Sequence, residues 1–378
     1  MNMARIPKVL ILLPVFNFGG AEKQGLYIAR SLQNSGQYRV EVWALEKGTG
    51  ELCEPLQSWQ LHALDLNIPT KKFHNNLQRM SVYWNFMKKL RREKIDYIIP
   101  FTYYCNLLAT TTYKFGGVKK CFWFQIAMEH HINLGFWEKL AIKFRPQYAA
   151  NSRSAADFIR QRHGLSTQEV PFVPNPFEYK EAQLNRIQYR EKLAVQNDEK
   201  MLFMAANFFP EKDHETLIRG FYQAHKALPE LKLVLAGACY QVRTAESIKS
   251  LCFDLGFHAE QVVFVGTSAD VPGLIAASDL CLLTSVSEGS PNALIEYMGY
   301  QKPIVASSIP PIVELLSENY PFLFQPGNPE DLCAKIIMAC QDLSDENVRH
   351  WVAKNYSTVA QEYTIETNYQ AFHQLLSS

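Results

Sequence analysis

None of the eight cysteines, at positions 53, 105, 121, 239, 252, 281, 333 and 340, belongs to a Cys-x-x-Cys pair, and most lie inside apolar runs. That spacing indicates neither a zinc site nor a disulfide framework, so a reducing cytoplasm is the expected compartment. No apolar run approaches the roughly 20 residues that a membrane span needs. Residues 1–13 carry Arg5 and Lys8 but lack a long apolar core and a small-residue cleavage site, so no signal peptide is expected there. The Gly-x-Gly-x-x-Gly dinucleotide fingerprint is missing as well, which argues against a nicotinamide enzyme. No paired-aspartate motif suggests a metal, so neither metal nor other cofactor is expected. No nucleic-acid-binding module is recognisable, and nucleic acid is not an expected partner.

What is present is 378 residues of ordinary globular composition, too many for one core, so two domains are expected. The net charge of +1 conceals an asymmetry. Residues 1–175 hold 23 lysines and arginines against 12 acidic residues, or +11, whereas residues 176–378 hold 15 against 25, or −10. The basic excess includes residues 88–94, Lys119-Lys120 and residues 139–145. A basic half suggests attraction to a polyanion such as an anionic membrane surface, although any single cluster is equally a solvated helix face.

Apolar strand patterns recur at residues 8–14, 39–45, 62–66, 96–101, 120–125 and 147–152, with helical stretches between several of them. Alternating strands and helices predict an α/β fold with a parallel sheet and ligands at the carboxyl ends of its strands. A glycine pair, Gly19-Gly20, follows the first strand and allows close backbone approach, to a ligand or in a plain tight turn. Gln125 ends the fifth strand and His130-His131 lie just beyond it; a histidine there serves as acid, base or donor, or is simply a polar loop residue. Asn151 and Ser152 either line a cleft or cap the helix that follows. Residues 170–177, with prolines at 171, 174 and 176, form a stiff connector, placing the domains at 1–172 and 173–356.

The pattern restarts with strands at 201–206, 231–236, 262–266, 280–283 and 303–306. Lys212, in the turn after the first of these, can place a point charge on a phosphate; a plain surface lysine is the blander reading. The fourth strand leads into Glu288-Gly289-Ser290-Pro291-Asn292-Ala293-Leu294-Ile295-Glu296. There Ser290 is the expected N-cap and Pro291 the expected first helical residue, with Glu296 about two turns inside. Free N–H groups at a helix start suit an anion, and flanking carboxylates suit hydroxyls. Together they predict a site for a phosphate joined to a polyol, that is, a nucleotide sugar.

These blocks, Gly19-Gly20-Ala21-Glu22, Asn151-Ser152, Val173-Pro174-Asn175-Pro176, Pro210-Glu211-Lys212, Val263-Phe264-Val265-Gly266 and Glu288 to Asn292 with Glu296, resemble those of the retaining glycosyltransferases of family 4. The resemblance runs through nearly the whole chain. It implies the GT-B fold, two Rossmann-like domains with parallel sheets facing across a cleft, and a last helix, about 357–378, returning to the first domain. It implies a nucleotide-sugar donor, UDP by family frequency, no metal, and front-face attack with the leaving phosphate as base. Glu296 would hold the ribose, Glu288 the transferred sugar at the reaction centre, and Lys212 the diphosphate. Gly289, Ser290, Pro291 and Asn292 would meet the diphosphate or sugar, Gly266 would lie near the base, and Gly19 and Gly20 would approach from the first domain. Asn207, Phe208 and Phe209 stand where many members carry a diphosphate-binding arginine, a role that falls to the helix N-terminus or to Arg243 reaching in from a loop. The family's first-domain histidine falls on Gln125 by one alignment and on His130 by another.

The implied activity is transfer to a glycan or lipid-diphosphate-sugar acceptor in bacterial surface polysaccharide biosynthesis, by a cytoplasmic enzyme, peripheral on the inner face of the cytoplasmic membrane through its basic N-terminal domain. A nucleotide-sugar epimerase of the same fold would leave the basic half unexplained. A non-catalytic binding module would follow if the absent arginine were decisive.

Overall fold

The computed structural model describes residues 5–17, 19–68, 76–128, 135–165, 170–239, 242–341, 343 and 345–377. The chain forms two units, Met1–Pro176 with Thr364–Ser378, and Phe177–Tyr363. His130 and His131 lie outside the described residues.

The first unit is a six-stranded parallel sheet: β1 (Lys8–Val15), β2 (Arg39–Glu46), β3 (His62–Asp65), β4 (Tyr97–Pro100), β5 (Lys120–Gln125) and β6 (Gln147–Ala150), in the order β3-β2-β1-β4-β5-β6. Central strand β1 is apolar without alternation because helices cover both faces of the sheet. Its odd residues Val9, Ile11 and Leu13 pack with Leu26 and Leu32 of the Gly20–Asn34 helix and Phe372 and Leu376 of the Ile365–Ser377 helix. Its even residues Leu10 and Leu12 pack with Phe86, Leu90 and Leu108 on the other face. The Ile365–Ser377 helix is further tied to this unit where Asn368 Nδ2 donates to the Pro174 carbonyl (2.7 Å) and Lys120 Nζ to that of Leu376 (3.0 Å). Of the segment expected to return, residues 357–363 stay in the second unit, and the passage to the first falls at Thr364.

The second unit repeats the plan with β7 (Lys200–Ala205), β8 (Leu231–Ala236), β9 (Val262–Gly266), β10 (Leu280–Leu283), β11 (Ile304–Ser307) and β12 (Leu323–Phe324). Its parallel order is β12-β11-β10-β7-β8-β9. At two residues, β12 is too short to announce itself as an apolar run. Both sheets therefore follow the doubly wound scheme expected from the sequence. In each, the first and fourth strands are neighbours whose onward connections run to opposite sides, so their loops part and leave a crevice at the carboxyl edge. These switch points lie between β1 and β4 in one unit and between β7 and β10 in the other.

Two local expectations are corrected. β6 stops at Ala150, and Ser152 is the N-cap of the Arg153–His163 helix, its Oγ accepting from the Ala155 N–H (3.0 Å). The helix after β10 is Asn292–Gly299, so Pro291 is its cap rather than its first residue, and Ser290 lies before it. Pro291 takes extended backbone (ψ 92°) while its carbonyl accepts from the N–H groups of Leu294 and Ile295. Glu296 is thus the fifth helical residue, a little over one turn inside.

Candidate functional site

The second unit's switch point collects most of the residues singled out in the sequence. After β7 the chain runs through Asn207 into a single 3-10 turn, Pro210–Lys212. Asp213 then caps the His214–Ala227 helix, accepting from the Thr216 N–H (3.1 Å). After β10, Thr284 and Ser285 are fully buried although polar, and hydrogen bonds account for both. Thr284 Oγ1 donates to the carbonyl of Lys212 (2.8 Å), and Ser285 Oγ donates to Glu288 Oε1 (2.7 Å). The Val286 N–H donates to the Glu211 carbonyl (2.9 Å), and Ser307 Oγ, from the end of β11, to that of Ser285 (2.5 Å). The loops after β7 and β10 are therefore stitched together, which fixes Lys212 and Glu288 on one frame.

Across this frame Lys212 Nζ lies 2.5 Å from Glu288 Oε1. The side chains keep 25% and 10% of their exposure, so the pair is partly dry yet open on one side. A charge-assisted hydrogen bond in such a place is stronger than on the open surface, where ion pairs contribute about 0–1 kcal/mol. The arrangement presents a cation and a carboxylate side by side, as a group bearing both phosphate and hydroxyls requires.

A third loop joins them. The Ala238 N–H donates to Asn207 Oδ1 (2.9 Å) and the Gly237 N–H to the Gly266 carbonyl (2.9 Å). A Cβ on Gly237 would meet the Ala206 carbonyl oxygen at 1.9 Å, so only glycine lets these strand ends close up. Gly266 has φ +74° with open space beside it. Gly289 is buried, while Ser290, Asn292 and Glu296 are half-buried. The helix they introduce is fixed to the sheet by Tyr297, whose hydroxyl accepts from the Ala205 N–H at the end of β7 (2.7 Å). Arg243, expected on a loop, instead lies exposed in the first turn of the Val242–Asp254 helix.

The sequence reading passed over His214. Its ring stacks on Phe208 with centroids 4.3 Å apart. Burial, reinforced by the charge of Lys212, lowers its pKa to about 4, so the imidazole is neutral. The adjacent Lys212 was the only signal for it in the sequence, and stacking is invisible there. Thr284 and Ser285 were passed over too, although two hydroxyls directly after a buried strand were a readable cue.

In the first unit, Gly19 caps the Gly20–Asn34 helix with extended backbone (φ −134°), so no left-handed conformation requires glycine there. A Cβ on it would instead meet Glu22 Oε2 at 2.2 Å. The glycine space is filled by the chain's own carboxyl group. Burial pushes the Glu22 pKa up to about 7. Gln125, the alternative to His130, has both amide atoms engaged, Oε1 by Trp123 Nε1 (2.9 Å) and Nε2 by the Ala127 carbonyl.

Two doubly wound units, the second with a charged switch point, constitute the GT-B architecture of glycosyltransferases, and solved structures share it. The Anabaena protein Alr3699/HepE, solved in complex with UDP and glucose, matches with a TM-score of 0.84 at 20% identity, over 98% of this chain and 99% of that one. WaaG, described as a glycosyltransferase involved in lipopolysaccharide biosynthesis, matches with a TM-score of 0.72 at 16% identity, over 98% and 100%. Residues 185–357, within the second unit, match the family described as glycosyl transferases group 1.

Among curated relatives, an uncharacterised glycosyltransferase of Methanocaldococcus jannaschii is 27% identical over 176 residues, 45% of this chain and 42% of that protein. The N,N'-diacetylbacillosaminyl-diphospho-undecaprenol alpha-1,3-N-acetylgalactosaminyltransferase of Campylobacter jejuni is 26% identical over 236 residues, 60% of this chain and 58% of that protein. The chain thus spans about half the length of these relatives.

Proposed function

We propose that this protein transfers a glycosyl unit from a nucleoside-diphosphate sugar, a UDP-sugar in the first instance, to a hydroxyl of a glycan or lipid-diphosphate-sugar acceptor. The observation that carries the reading is the Lys212–Glu288 pair, held at 2.5 Å on two loops stitched at the second switch point. In the proposed reaction the bond from the sugar's anomeric carbon to the diphosphate oxygen breaks, and the acceptor oxygen bonds to that carbon and gives its proton to the leaving phosphate. Negative charge accumulates on that phosphate as it departs. Lys212, with the N–H groups around Asn292, stabilises that charge; such preorganised groups contribute about 2.7–4 kcal/mol apiece. Donor binding transfers the lysine from Glu288 to the phosphate, and the freed carboxylate accepts hydrogen bonds from the sugar's hydroxyls. Glu296 takes the ribose hydroxyls. Lys212 supplies the positive charge that a metal provides elsewhere, so no metal belongs to this reading.

A lipid-diphosphate-sugar acceptor is supported by the name of the Campylobacter relative, and a UDP donor by the Anabaena complex. Retention of anomeric configuration, membership of family 4 and a place in surface polysaccharide synthesis belong to the proposal through the sequence resemblance.

Donor consumption by the full-length protein, followed with a panel of UDP-sugars and acceptors in the presence of EDTA, tests it. The expected result is a glycosylated acceptor, with turnover lowered about 100-fold or more in Glu288→Ala. Donor consumption that yields an isomerised nucleotide sugar and no acceptor product would overturn it in favour of an epimerase.

A further inference from the structure

Two helices of the first unit carry the four most exposed large apolar side chains among its described residues, and their spacing is regular. On the Asn76–Glu93 helix, Leu77 (77% exposed), Met80 (65%) and Trp84 (55%) recur at i, i+3 and i+7. Continued at i+11 and i+14, the same stripe reads Lys88 and Arg91, both exposed. The Phe136–Lys143 helix repeats the design: Phe136 is 72% exposed, and exposed Lys139 and Lys143 follow at i+3 and i+7. Each stripe thus begins apolar and ends cationic.

The two helices are neighbours and are rigidly held. Tyr83 of the first meets Trp137 of the second with ring centroids 5.4 Å apart, and the Arg79 guanidinium lies 5.0 Å from the same Trp137 ring. Glu138, fully buried, accepts from Arg162 (2.6 and 2.7 Å) and Tyr103 (3.0 Å) and pairs with His163 (2.8 Å). The second helix is therefore anchored from below, and the exposure of Phe136 does not come from a loose element.

Charge identifies the occupant. The two helices carry seven cations, Arg79, Lys88, Lys89, Arg91, Arg92, Lys139 and Lys143, and two acids. Of the acids, Glu138 is buried and Glu93 is bonded by Arg92 (3.1 Å). Long apolar and indole side chains beside lysines whose stems can reach past them are the chemistry of a bilayer interface, where rings sit at headgroup level and cations meet lipid phosphates. A nucleic acid would match the cations but leave Leu77, Met80 and Phe136 without a counterpart.

We propose that the paired stripes of the Asn76–Glu93 and Phe136–Lys143 helices form a docking face for an anionic bilayer, with Leu77, Met80, Trp84 and Phe136 entering the interface and Lys88, Arg91, Lys139 and Lys143 on its headgroups. This face would bring the enzyme to a lipid-linked acceptor and in that respect rests on the proposed function. Its own support is independent of the donor site. Among the described residues no helix is long and apolar enough to cross a membrane, and the face works at the surface only.

The test is sedimentation of the full chain with vesicles of phosphatidylcholine alone and of phosphatidylcholine with an equal share of phosphatidylglycerol. Binding is expected only to the anionic vesicles and is expected to weaken with salt. Lys88→Glu with Arg91→Glu should lower it by about 30-fold or more, from roughly 1 kcal/mol for each basic residue at such a surface. Leu77→Ser with Trp84→Ser should lower it while preserving the melting temperature and the thermal shift with UDP. Equal binding by the variants, or none by the native chain, overturns the docking face. So does a concentration-dependent dimer, or RNA binding, lost in the same variants. Vesicle binding is read without donor or acceptor, so failure here leaves the donor reading intact, and failure to bind UDP leaves the vesicle result intact.

Discussion

At the scale of single residues, two charged sites stand out: the Lys212–Glu288 pair at the second switch point and the buried Glu22 carboxyl beside Gly19. Lys212 and Glu288 were readable because each follows an apolar strand at a sheet's ligand edge; their direct contact was not, because it depends on Thr284 and Ser285 folding the loops together. Glu22 stood in a recognisable block, but a glutamate two residues into a helix ordinarily faces water. Here it turns back over Gly19 and burial raises its pKa from 4.5 to about 7. The native state therefore keeps a proton that the unfolded chain releases from about pH 4.5 upward. The group is without cost below that pH, and stability falls as pH rises through 7, by a plateau of about 3 kcal/mol. Glu22→Gln should remove that loss. Its melting temperature relative to the native protein should rise between pH 4.5 and pH 8, as thermal unfolding at the two pH values will show. An equal difference at both would contradict the assignment.

At the scale of elements, ten of the twelve strands among the described residues were visible as apolar runs of four residues or more with limits right to within about a residue. β6 was drawn two residues too long because Ser152 is equally good as a strand end and as a helix cap. β12 was missed because two residues carry no period. The helix after β10 began later than expected, since a proline can serve as cap as well as first helical residue. Gly237 shows what one missing side chain does between elements. A Cβ there would lie 1.9 Å from the Ala206 carbonyl oxygen, at the junction of the loops after β7 and β8. Gly237→Ala should force these strand ends apart and destabilise the second unit by about 1–3 kcal/mol, the usual cost of overpacking. Urea unfolding measures the stability and UDP calorimetry measures the weakened site. Native-like values in both would mean that the loops can part freely.

At the scale of the whole molecule, the restart of the strand–helix pattern near residue 200 made the two-unit architecture legible, and the doubly wound order followed from it. The position of the last helix was implied by resemblance alone. Its apolar residues Phe372, Leu375 and Leu376 would suit any core, and only the fold reveals that they complete the one around β1. The charge asymmetry was plain in the sequence, but its use was not. The same lysines read as solvated faces until Leu77, Met80, Trp84 and Phe136 appear beside them on the surface.

The central claim is that the second unit's switch point holds a nucleoside diphosphate sugar between Lys212 and Glu296. Isothermal titration calorimetry of UDP and UDP-glucose against the native chain, Lys212→Ala and Glu296→Ala addresses it directly. The account predicts saturable binding of UDP by the native chain and a loss of about tenfold or more in each variant, the loss of one charge-assisted hydrogen bond being about 1.5–3 kcal/mol. Binding of undiminished strength in both variants would contradict it.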